Sequence, residues 1–451
     1  MMRYLPNTPA EVKEMLTAIG VGSVRDLFKC VPQNVLLKEP PALPKALSEM
    51  EIERHMAELG EKNTGAAMLS FLGGGCYRHY APSLIDQMLI RSEFYTAYTP
   101  YQPEASQGTL RAIFEFQTMI ANLFGMDVSN ASMYDGATAA AEAVMMALRN
   151  DRKKRTRIVV ASTLHPHYIQ TLKTYLEGFA GEVVLMEFDQ TTGRVADKEL
   201  AKIDKNTVAV LFQYPNWFGV IEDIHAIAKA AKAVEAWLIP AVIETTALGI
   251  LTAPGELGAD IAVGEGQPLG IPLNYGGPGV GLFTTRNDHV RKMPGRLVGK
   301  TADREGKECF VLTLSAREQH IKREKATSNI CSNQGLMALA ASMYLATMGK
   351  EGLRTVALLN LKRRDCLVKA LAKTKAKLAF TGPSYNEISL KLPMKADAVI
   401  EKMAAEGILA GVPASRYYPA LDNILITATT ELHSCADAER FATTLAKVIG
   451  G

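Results

Sequence analysis

The sequence predicts an α/β protein: a large domain with a mainly parallel sheet, and a smaller C-terminal α/β domain of different topology. Two observations support this prediction. Apolar, β-rich runs succeed one another between residues 157 and 263, with helical stretches between most of them, and strands buried on both faces have such unbroken apolar runs. Near residue 330 the pattern changes to a long helical region followed by two strand candidates with a helix between them.

The elements of the large domain begin at residue 107. Gln107–Phe124 is apolar at helical spacing and ends at Gly125, a typical C-cap, and Ala137–Leu148 is a second helix. The predicted strands are Arg157–Ser162, Glu182–Phe188, Thr207–Gln213, Trp237–Ile243, Asp260–Val263 and Val280–Thr284. The predicted elements of the small domain are a helix at Asn333–Thr374, strands at Glu387–Leu392 and Asn423–Thr427, and a final helix at Ala436–Ile449.

The first 106 residues differ from this pattern. Thr8-Pro9-Ala10-Glu11 and Ser48-Glu49-Met50-Glu51 are capping-box sequences that each open a short helix, the first reaching about Ile19. The proline-rich stretch from Pro32 to Pro44 is predicted to be extended. We therefore divide the chain into an N-terminal arm (1–106) that packs on the body or a partner, a large domain (107–330) and a small domain (331–451).

Composition indicates a soluble intracellular protein, expected in the cytoplasm. Of 451 residues, 48% are hydrophobic and 22% charged, the net charge is +3, and no apolar run is long enough to span a membrane. The basic run Arg152–Arg155 is more typical of a solvated turn than of a nucleic-acid site. No nucleic-acid partner is therefore predicted. The six scattered cysteines have no metal-binding spacing, so they are expected to be thiols and no metal site is predicted.

Three segments are candidates for binding an anion or a planar ring. Tyr134–Ala139 opens a helix of small residues, whose free N–H groups can hold a phosphate. His165 follows the first strong strand, where it can stack on a ring or simply cap a loop. The glycine-dense turns Gly264–Gly270 and Tyr275–Gly279 allow a close backbone approach to an anion, but no Walker lysine follows them.

Two further segments are rich in aromatic and polar residues. These are Phe71–Tyr80 and the loop Tyr95–Gly108, which contains Tyr95, Tyr98, Tyr101 and Glu104. Phenols and a carboxylate can orient an amino acid in a small pocket. Tyrosine is equally enriched at protein interfaces, so a subunit-interface loop is the alternative, and the two interpretations are compatible.

Together these segments resemble one family, that of glycine decarboxylase, the P-protein of the glycine cleavage system. The resemblance rests on TPYQPEASQG, FEFQTMIANLFGMDVSNASMYDGATAAAEA, the GGPG turn and REKATSNICSNQ, and extends from about residue 3 to 450. The length is similar to that of the α subunit of the two-subunit bacterial form. The resemblance implies an aspartate-aminotransferase-like fold of pyridoxal phosphate (PLP) enzymes. It also implies a glycine decarboxylation that passes an aminomethyl group to the lipoamide arm of the H-protein.

The same resemblance identifies a departure from a working PLP site. Gln267, nine residues before Gly276, stands where the β subunit of this family has its imine-forming lysine, and an amide cannot form an imine. Glu244 falls near the position of the acidic residue that bonds the pyridine nitrogen. Thr138 and His165 match a phosphate-binding and a ring-stacking residue, either functional or vestigial. No covalently bound PLP is therefore expected on this chain.

The resemblance implies that the chain completes the active site of a β subunit that carries PLP, as an αβ unit pairing into α2β2. Gly276 and Gly277 match a turn that contacts the partner's cofactor phosphate. The other residues expected to line the partner's site or the glycine and lipoamide channel are Tyr95, Tyr98, Tyr101, Glu104, Arg323, Thr327 and Asn329. Alternatives are an independent PLP enzyme, which needs a lysine near 260–270 where there is none, and a structural scaffold.

Overall fold

The computed structural model describes residues 6–39 and 41–450, which form two compact units divided after Thr64. The first unit contains the helices α1 (Pro9–Ile19) and α2 (Glu49–Glu61), and both predicted capping boxes are present. Between the helices, a 3-10 turn spans Val24–Phe28. Residue 40, inside the stretch predicted to be extended, lies outside the described residues; 29–39 and 41–48 contain no helix or strand.

The second unit contains the remaining elements. In chain order these are β1 (Leu69–Ser70), α3 (Ser83–Leu89), α4 (Ser92–Tyr95), α5 (Gln107–Phe124), β2 (Val128–Ser129), α6 (Gly136–Asn150), β3 (Arg157–Ala161), α7 (Pro166–Leu176), β4 (Glu182–Met186), β5 (Thr207–Gln213), α8 (Ile224–Ala233), β6 (Trp237–Val242), β7 (Ile261–Glu265), β8 (Gly281–Thr285), β9 (Leu297–Ala302), β10 (Glu308–Thr313), α9 (Gln319–Lys322), α10 (Gly335–Leu371), β11 (Lys377–Leu378), β12 (Glu387–Lys391), α11 (Ala396–Ala405), β13 (Ile408–Leu409), β14 (Val412–Pro413), β15 (Ile424–Ala428) and α12 (Cys435–Ile449).

A seven-stranded sheet forms the centre of this unit, in the order β2-β8-β7-β6-β5-β3-β4. Strands β3 to β7 are mutually parallel, whereas β8 is antiparallel to β7 and β2 is antiparallel to β8. The prediction of a mainly parallel sheet is confirmed. All seven residues of β5 are buried, as expected of a central parallel strand covered on both faces.

A second sheet lies in the C-terminal part, in the order β11-β12-β15-β14 with antiparallel pairs. Its core joins Phe71 to apolar side chains of α10, α11 and α12. The predicted long helix is interrupted at Gly349, whose φ of 58° and ψ of −173° are not helical. The hairpin β9–β10 was not predicted. The domain boundaries at 106 and 330 stay a prediction.

The parallel strands bring distant segments to one edge of the sheet. Strands β3, β6 and β7 all end there, so the residues that follow them, including His165, Glu244 and Gln267, lie at that edge. The N-terminus of α6 also lies there, because Gly136 donates a backbone hydrogen bond to the side chain of Glu265. The carboxyl edge of a parallel sheet is where α/β proteins of this kind bind ligands.

A disulfide joins Cys366 in α10 to Cys435 at the start of α12, with a Cα–Cα distance of 5.4 Å. The prediction that all six cysteines are thiols is therefore wrong for this pair. The packing of α10 on α12 in one core brings together two residues separated by 69 positions, which their spacing in the sequence does not reveal. Cys30, Cys76, Cys309 and Cys331 are free thiols.

The basic run Arg152–Arg155 forms the connection between α6 and β3. Arg155 donates to Asp151 and to the carbonyl oxygens of Val234 and Glu235, and Lys153 pairs with the Glu235 carboxylate. Lys153 and Arg155 of this run are therefore bound to neighbouring parts of the chain and stabilise the turn between α6 and β3. Over residues 6–39 and 41–450, no helix is long and apolar enough to cross a membrane, and no cluster of His, Cys, Asp and Glu is arranged to hold a metal ion.

Candidate functional site

A cavity of about 640 Å³ opens at the carboxyl edge of the parallel strands. Its lining residues are Gly75, Cys76, Tyr134, Asp135, Ala137, His165, His167, Tyr168, Glu265, Gln267, residues 272–279 and Gln334. Among the described residues that line it, none is a lysine. The cavity thus unites the predicted site residues His165, Gln267, Gly276 and Gly277.

The Gln267 side chain is buried and fully engaged with backbone groups. Its Nε2 donates to the carbonyl oxygens of Tyr77, at 3.0 Å, and Ile271, at 2.8 Å. Its Oε1 accepts from the backbone N–H of Tyr77 at 3.2 Å. These three bonds use both amide hydrogens and the oxygen, so Gln267 holds the segment around Tyr77 in place.

Glu265 occupies the anion-binding position at the start of α6. Its Oε2 accepts from the backbone N–H of Gly136 at 3.0 Å, and its Oε1 accepts from the N–H groups of Gln267 and Val280. Burial raises the pKa of Glu265 to about 7, against the opposing effect of these three hydrogen bonds. The helix N-terminus is therefore already occupied by a carboxyl group of the chain itself.

Asp135 and Thr138 complete the start of α6 as a capping box. Thr138 N donates to Asp135 Oδ1 at 2.8 Å, and Asp135 N donates to Thr138 Oγ1 at 3.3 Å. Thr138 lines a second cavity, on another side of α6, and not the one that contains Gln267. The groups predicted to bind a phosphate at this helix are thus hydrogen-bonded within the chain.

Replacement of Asp135 tests the strength of this cap. We expect Asp135→Ala to lower the free energy of unfolding by about 1 kcal/mol, because a backbone N–H at the helix start loses its acceptor. Asp135→Asn is the matched control, since asparagine caps helices about as well as aspartate and should leave stability nearly unchanged. Denaturant unfolding of the two variants measures the difference; equal losses would contradict the capping role.

His165 is the N-cap of α7 and is held in one neutral tautomer. Its Nδ1 accepts from the backbone N–H of His167 at 3.1 Å, so its Nε2 carries the proton and donates to the carbonyl oxygen of Gly74 at 2.7 Å. Burial lowers the pKa of His165 to about 4. A Cβ added at Gly75 would lie 2.7 Å from the ring, so the chain packs tightly against His165 here.

Glu244 follows β6 and is bound by an internal cation. His79 Nε2 lies 2.9 Å from Glu244 Oε2, and His79 Nδ1 lies 2.8 Å from Glu431 Oε2. Burial alone would lower the pKa of His79, but the two carboxylates outweigh it and raise the pKa to about 10. His79 is therefore an imidazolium between two carboxylates. Thr246 and Asn386 also donate to Glu244.

Glu387, at the start of β12, forms a second buried contact with the same stretch of chain. Gly74 N donates to its Oε1 at 2.6 Å and the Tyr77 hydroxyl donates to its Oε2 at 2.9 Å. Burial raises the pKa of Glu387 to about 8, so the carboxyl group is mainly protonated at neutral pH. We call Phe71–Tyr80 the inner segment; Gln267, His165, Glu244 and Glu387 all bond to it.

The tyrosine-rich loop lies largely in solvent. Tyr95, Tyr98 and Tyr101 are 66%, 86% and 57% exposed, and Glu104 is also exposed. Tyr101 contacts Arg296, whose Nη2 donates to its hydroxyl at 3.2 Å and whose guanidinium lies over its ring at 5.5 Å. Tyr98 lines a small apolar cavity beside α5. None of these four residues lines the cavity of Gln267.

The remaining predicted residues separate into two groups. Gly276 and Gly277 belong to the exposed loop 272–279 at the mouth of the cavity, where Tyr275 is 93% exposed. Arg323 is exposed, Thr327 donates its N–H to the Arg317 carbonyl oxygen, and Asn329 lines the second cavity together with Thr138.

The cavity lies at the carboxyl edge of a mainly parallel sheet, and its lining residues Glu265, His165 and Gln267 are hydrogen-bonded within the chain. Residues 2–443 match the family described as the glycine cleavage system P-protein. The chain belongs to the P-protein family. A relative from Carboxydothermus hydrogenoformans, named "Probable glycine dehydrogenase (decarboxylating) subunit 1", is 47% identical over 452 aligned positions, which cover 100% of both chains.

Solved structures of the P-protein family and of other enzymes share the fold. An inhibitor-bound glycine decarboxylase (P-protein) is 40% identical with a TM-score of 0.88, covering 99% of this chain and 100% of that one. A glutamate decarboxylase of Lactobacillus brevis is 14% identical with a TM-score of 0.67, covering 92% of this chain and 96% of the other. The predicted aspartate-aminotransferase-like fold of PLP-dependent enzymes is confirmed.

Three functional groups escaped the sequence analysis: His79, Glu265 and Glu387. His79 belongs to FLGGGCYRHY, a segment noted only for its aromatic and polar residues, although a histidine and three glycines in it indicate close packing. Glu265 lies inside the glycine-dense turn that was interpreted as an anion site. A glutamate between two glycines could have suggested that the anion is supplied by the chain itself.

Proposed function

We propose that this chain is the α subunit (subunit 1) of glycine decarboxylase. Together with a β subunit it would decarboxylate glycine with PLP, release CO2 and pass the aminomethyl group to the lipoamide arm of the H-protein. The observation that carries this proposal is the end-to-end similarity to a relative named as subunit 1 of the decarboxylating glycine dehydrogenase. The site geometry supports a subunit with an incomplete pocket of its own. The proposed location of the complex is the cytoplasm.

The cavity of this chain does not fit a covalently held PLP. No lysine occurs among the described residues that line it, and the side chain at the lysine position, Gln267, is an amide engaged with backbone groups. The N–H of Gly136 at the helix start is used by Glu265, and Glu244 is paired with the His79 imidazolium. We therefore assign the cofactor to the β subunit and attribute no chemical step to the pocket around Gln267.

The contribution of this chain would come from its exposed loops. Loop 272–279 presents Tyr275 and two glycines, and the tyrosine-rich loop presents Tyr98 and Tyr101. Exposed aromatic side chains can pack on a partner, and glycines beside them let the backbone approach an anionic group there, although the Gly277 N–H itself donates to the Asn274 carbonyl oxygen. We propose that Gly276, Gly277, Arg323, Thr327 and Asn329 face the partner's cofactor, while the tyrosine-rich loop with Glu104 lines the path of glycine or lipoamide.

The decisive experiment compares the chain alone with the chain plus its β subunit. We expect the complex to exchange the carboxyl group of glycine with bicarbonate and to show the absorbance of lysine-bound PLP. The chain alone should show neither, because its cavity offers no lysine amine. Exchange activity and cofactor absorbance from the purified chain alone would refute the proposal and favour an independent PLP enzyme.

A purely structural subunit is the competing function, since tyrosine-rich exposed loops are also typical of interfaces. Tyr98→Phe, Tyr101→Phe and Glu104→Gln in the αβ complex separate the two. If the loop lines the substrate path, at least one variant should lose about tenfold or more in exchange rate while the complex assembles normally, a loss equal to about 1.4 kcal/mol. Full activity in all three, with unchanged assembly by size exclusion, would favour the structural role.

A further inference from the structure

A second cavity, of about 330 Å³, lies beside α6 and is separate from the lining around Gln267 except at Tyr134. It is formed by α6, the C-terminal part of α7 and residues 329–330. This volume is at the lower end of the range of small-molecule sites and could hold about ten water molecules. The functional proposal above makes no use of it beyond naming Asn329.

Glu142 supplies a carboxylate to this cavity that the protein satisfies only in part. The residue is 6% exposed; its Oε1 accepts from the Ser328 hydroxyl at 2.7 Å. Its Oε2 is buried and has no hydrogen-bond partner among the described residues. A buried carboxylate oxygen without a donor costs free energy, so the arrangement calls for a donor that enters the cavity.

Arg149 supplies the opposite charge on the same face of the helix. It is seven residues after Glu142, which is two turns or about 10.5 Å along the axis. Its Nη1 donates to the Thr327 carbonyl oxygen, and its guanidinium lies 5.8 Å from the centre of the Phe179 ring. No ion pair joins Arg149 to Glu142 in the part of the chain described, but both side chains line one cavity. Burial raises the pKa of Glu142, and the Arg149 charge partly offsets this effect.

The rest of the lining adds polar groups and two rings. Thr138 and Tyr175 contribute hydroxyl groups, and Tyr134 contributes a hydroxyl that already accepts from the backbone N–H of Cys331. A ligand that bridges a carboxylate and a guanidinium needs a hydrogen-bond donor at one end, best an ammonium group, and an anion such as a carboxylate at the other. Small α-amino acids have this structure.

We propose that this cavity binds a small α-amino acid as a zwitterion, with the ammonium group on Glu142 and the carboxylate on Arg149. The site goes beyond the decarboxylation proposed above, since it requires neither PLP nor a second subunit. A ligand bound here contacts both α6 and residues 329–330. It would connect the helix that begins at the Gln267 cavity with the segment that contains the predicted partner-facing residues.

Equilibrium dialysis of the full-length chain alone with radiolabelled glycine tests this proposal, because the partner's catalytic site is then absent. We expect saturable binding of one glycine per chain. Glu142→Gln should weaken it by about tenfold or more, since a charge-assisted hydrogen bond is lost. Arg149→Gln should have a similar effect. Methylamine and acetate, which each carry one of the two charges, should compete only weakly.

Glu115→Gln is the control, because Glu115 is an exposed carboxylate on α5 that lines neither cavity and should not affect glycine binding at Glu142. Thermal unfolding of each variant shows whether it is folded, and Arg149→Gln, at an exposed position, serves if Glu142→Gln is unstable. Absence of saturable binding to the wild-type chain would overturn the proposal. So would binding that survives Glu142→Gln and Arg149→Gln, or that is lost in Glu115→Gln.

Discussion

His79→Ala is expected to lower the free energy of unfolding by about 3–5 kcal/mol at neutral pH. The imidazolium bridges Glu244 and Glu431 at 2.9 and 2.8 Å, and its side chain is 2% exposed. Removal of one partner from a buried ion pair leaves an uncompensated charge, which costs more than the pair itself contributed. Here two carboxylates would be left facing each other. Denaturant unfolding at pH 6–7 measures the loss.

The pH dependence distinguishes this electrostatic effect from simple loss of packing. The pKa of His79 is about 10 in the folded chain, above its ordinary value of 6.5. Its stabilising contribution is therefore fully present below about pH 6.5 and is lost as the pH rises through about 10. The difference in free energy of unfolding between wild type and His79→Ala should therefore become smaller as the pH rises towards 10. His225→Ala, at an exposed position of α8, should change stability by less than about 0.5 kcal/mol. A pH-independent gap would contradict the ion-pair explanation.

The sequence predicted the elements well wherever one physical signal dominated. Thr207–Gln213 was predicted with its observed bounds, because an unbroken apolar run has one stable placement, buried on both faces of a sheet. The capping boxes at Thr8 and Ser48 were also found, since capping depends on residues only three positions apart. The hairpin β9–β10 was missed because its outer half, from Gly299 to Cys309, is charged and largely exposed.

Only those features of the site that follow from residue identity and strand order could be predicted from the sequence. That Gln267 is not a lysine can be read directly, and strand order places it near His165. The contacts that hold the inner segment beside the pocket could not be predicted, because they join residues 71–80 to residues 244, 387 and 431. Such pairs arise from the packing of two sheets against one segment, and no local sequence pattern predicts this packing. The same limit applies to the disulfide between Cys366 and Cys435.

Glu387→Gln is expected to make the stability of the chain less sensitive to alkaline pH. Burial raises the pKa of Glu387 from an ordinary 4.5 to about 8. Because the folded-state pKa is the higher one, folding favours the protonated acid, and this contribution is present below about pH 4.5 and lost as the pH rises through about 8. Glutamine is nearly isosteric with the protonated acid: its oxygen can accept from the Gly74 N–H, and its NH2 group, like the acid O–H, can donate to the Tyr77 hydroxyl oxygen.

The magnitude follows from the size of the pKa difference, since each unit corresponds to about 1.4 kcal/mol. Between pH 5 and pH 9, the variant should gain roughly 2–4 kcal/mol relative to wild type, with allowance for relaxation around the ionised group. Glu305→Gln, at an exposed position, is the matched control. Its free energy of unfolding should depend on pH in the same way as that of wild type over this range. If the free energy of unfolding of Glu387→Gln also had the same pH dependence as that of wild type, Glu387 would ionise in the folded chain at no cost in stability. The inner segment would then be held to β12 by a carboxylate and not by a protonated acid.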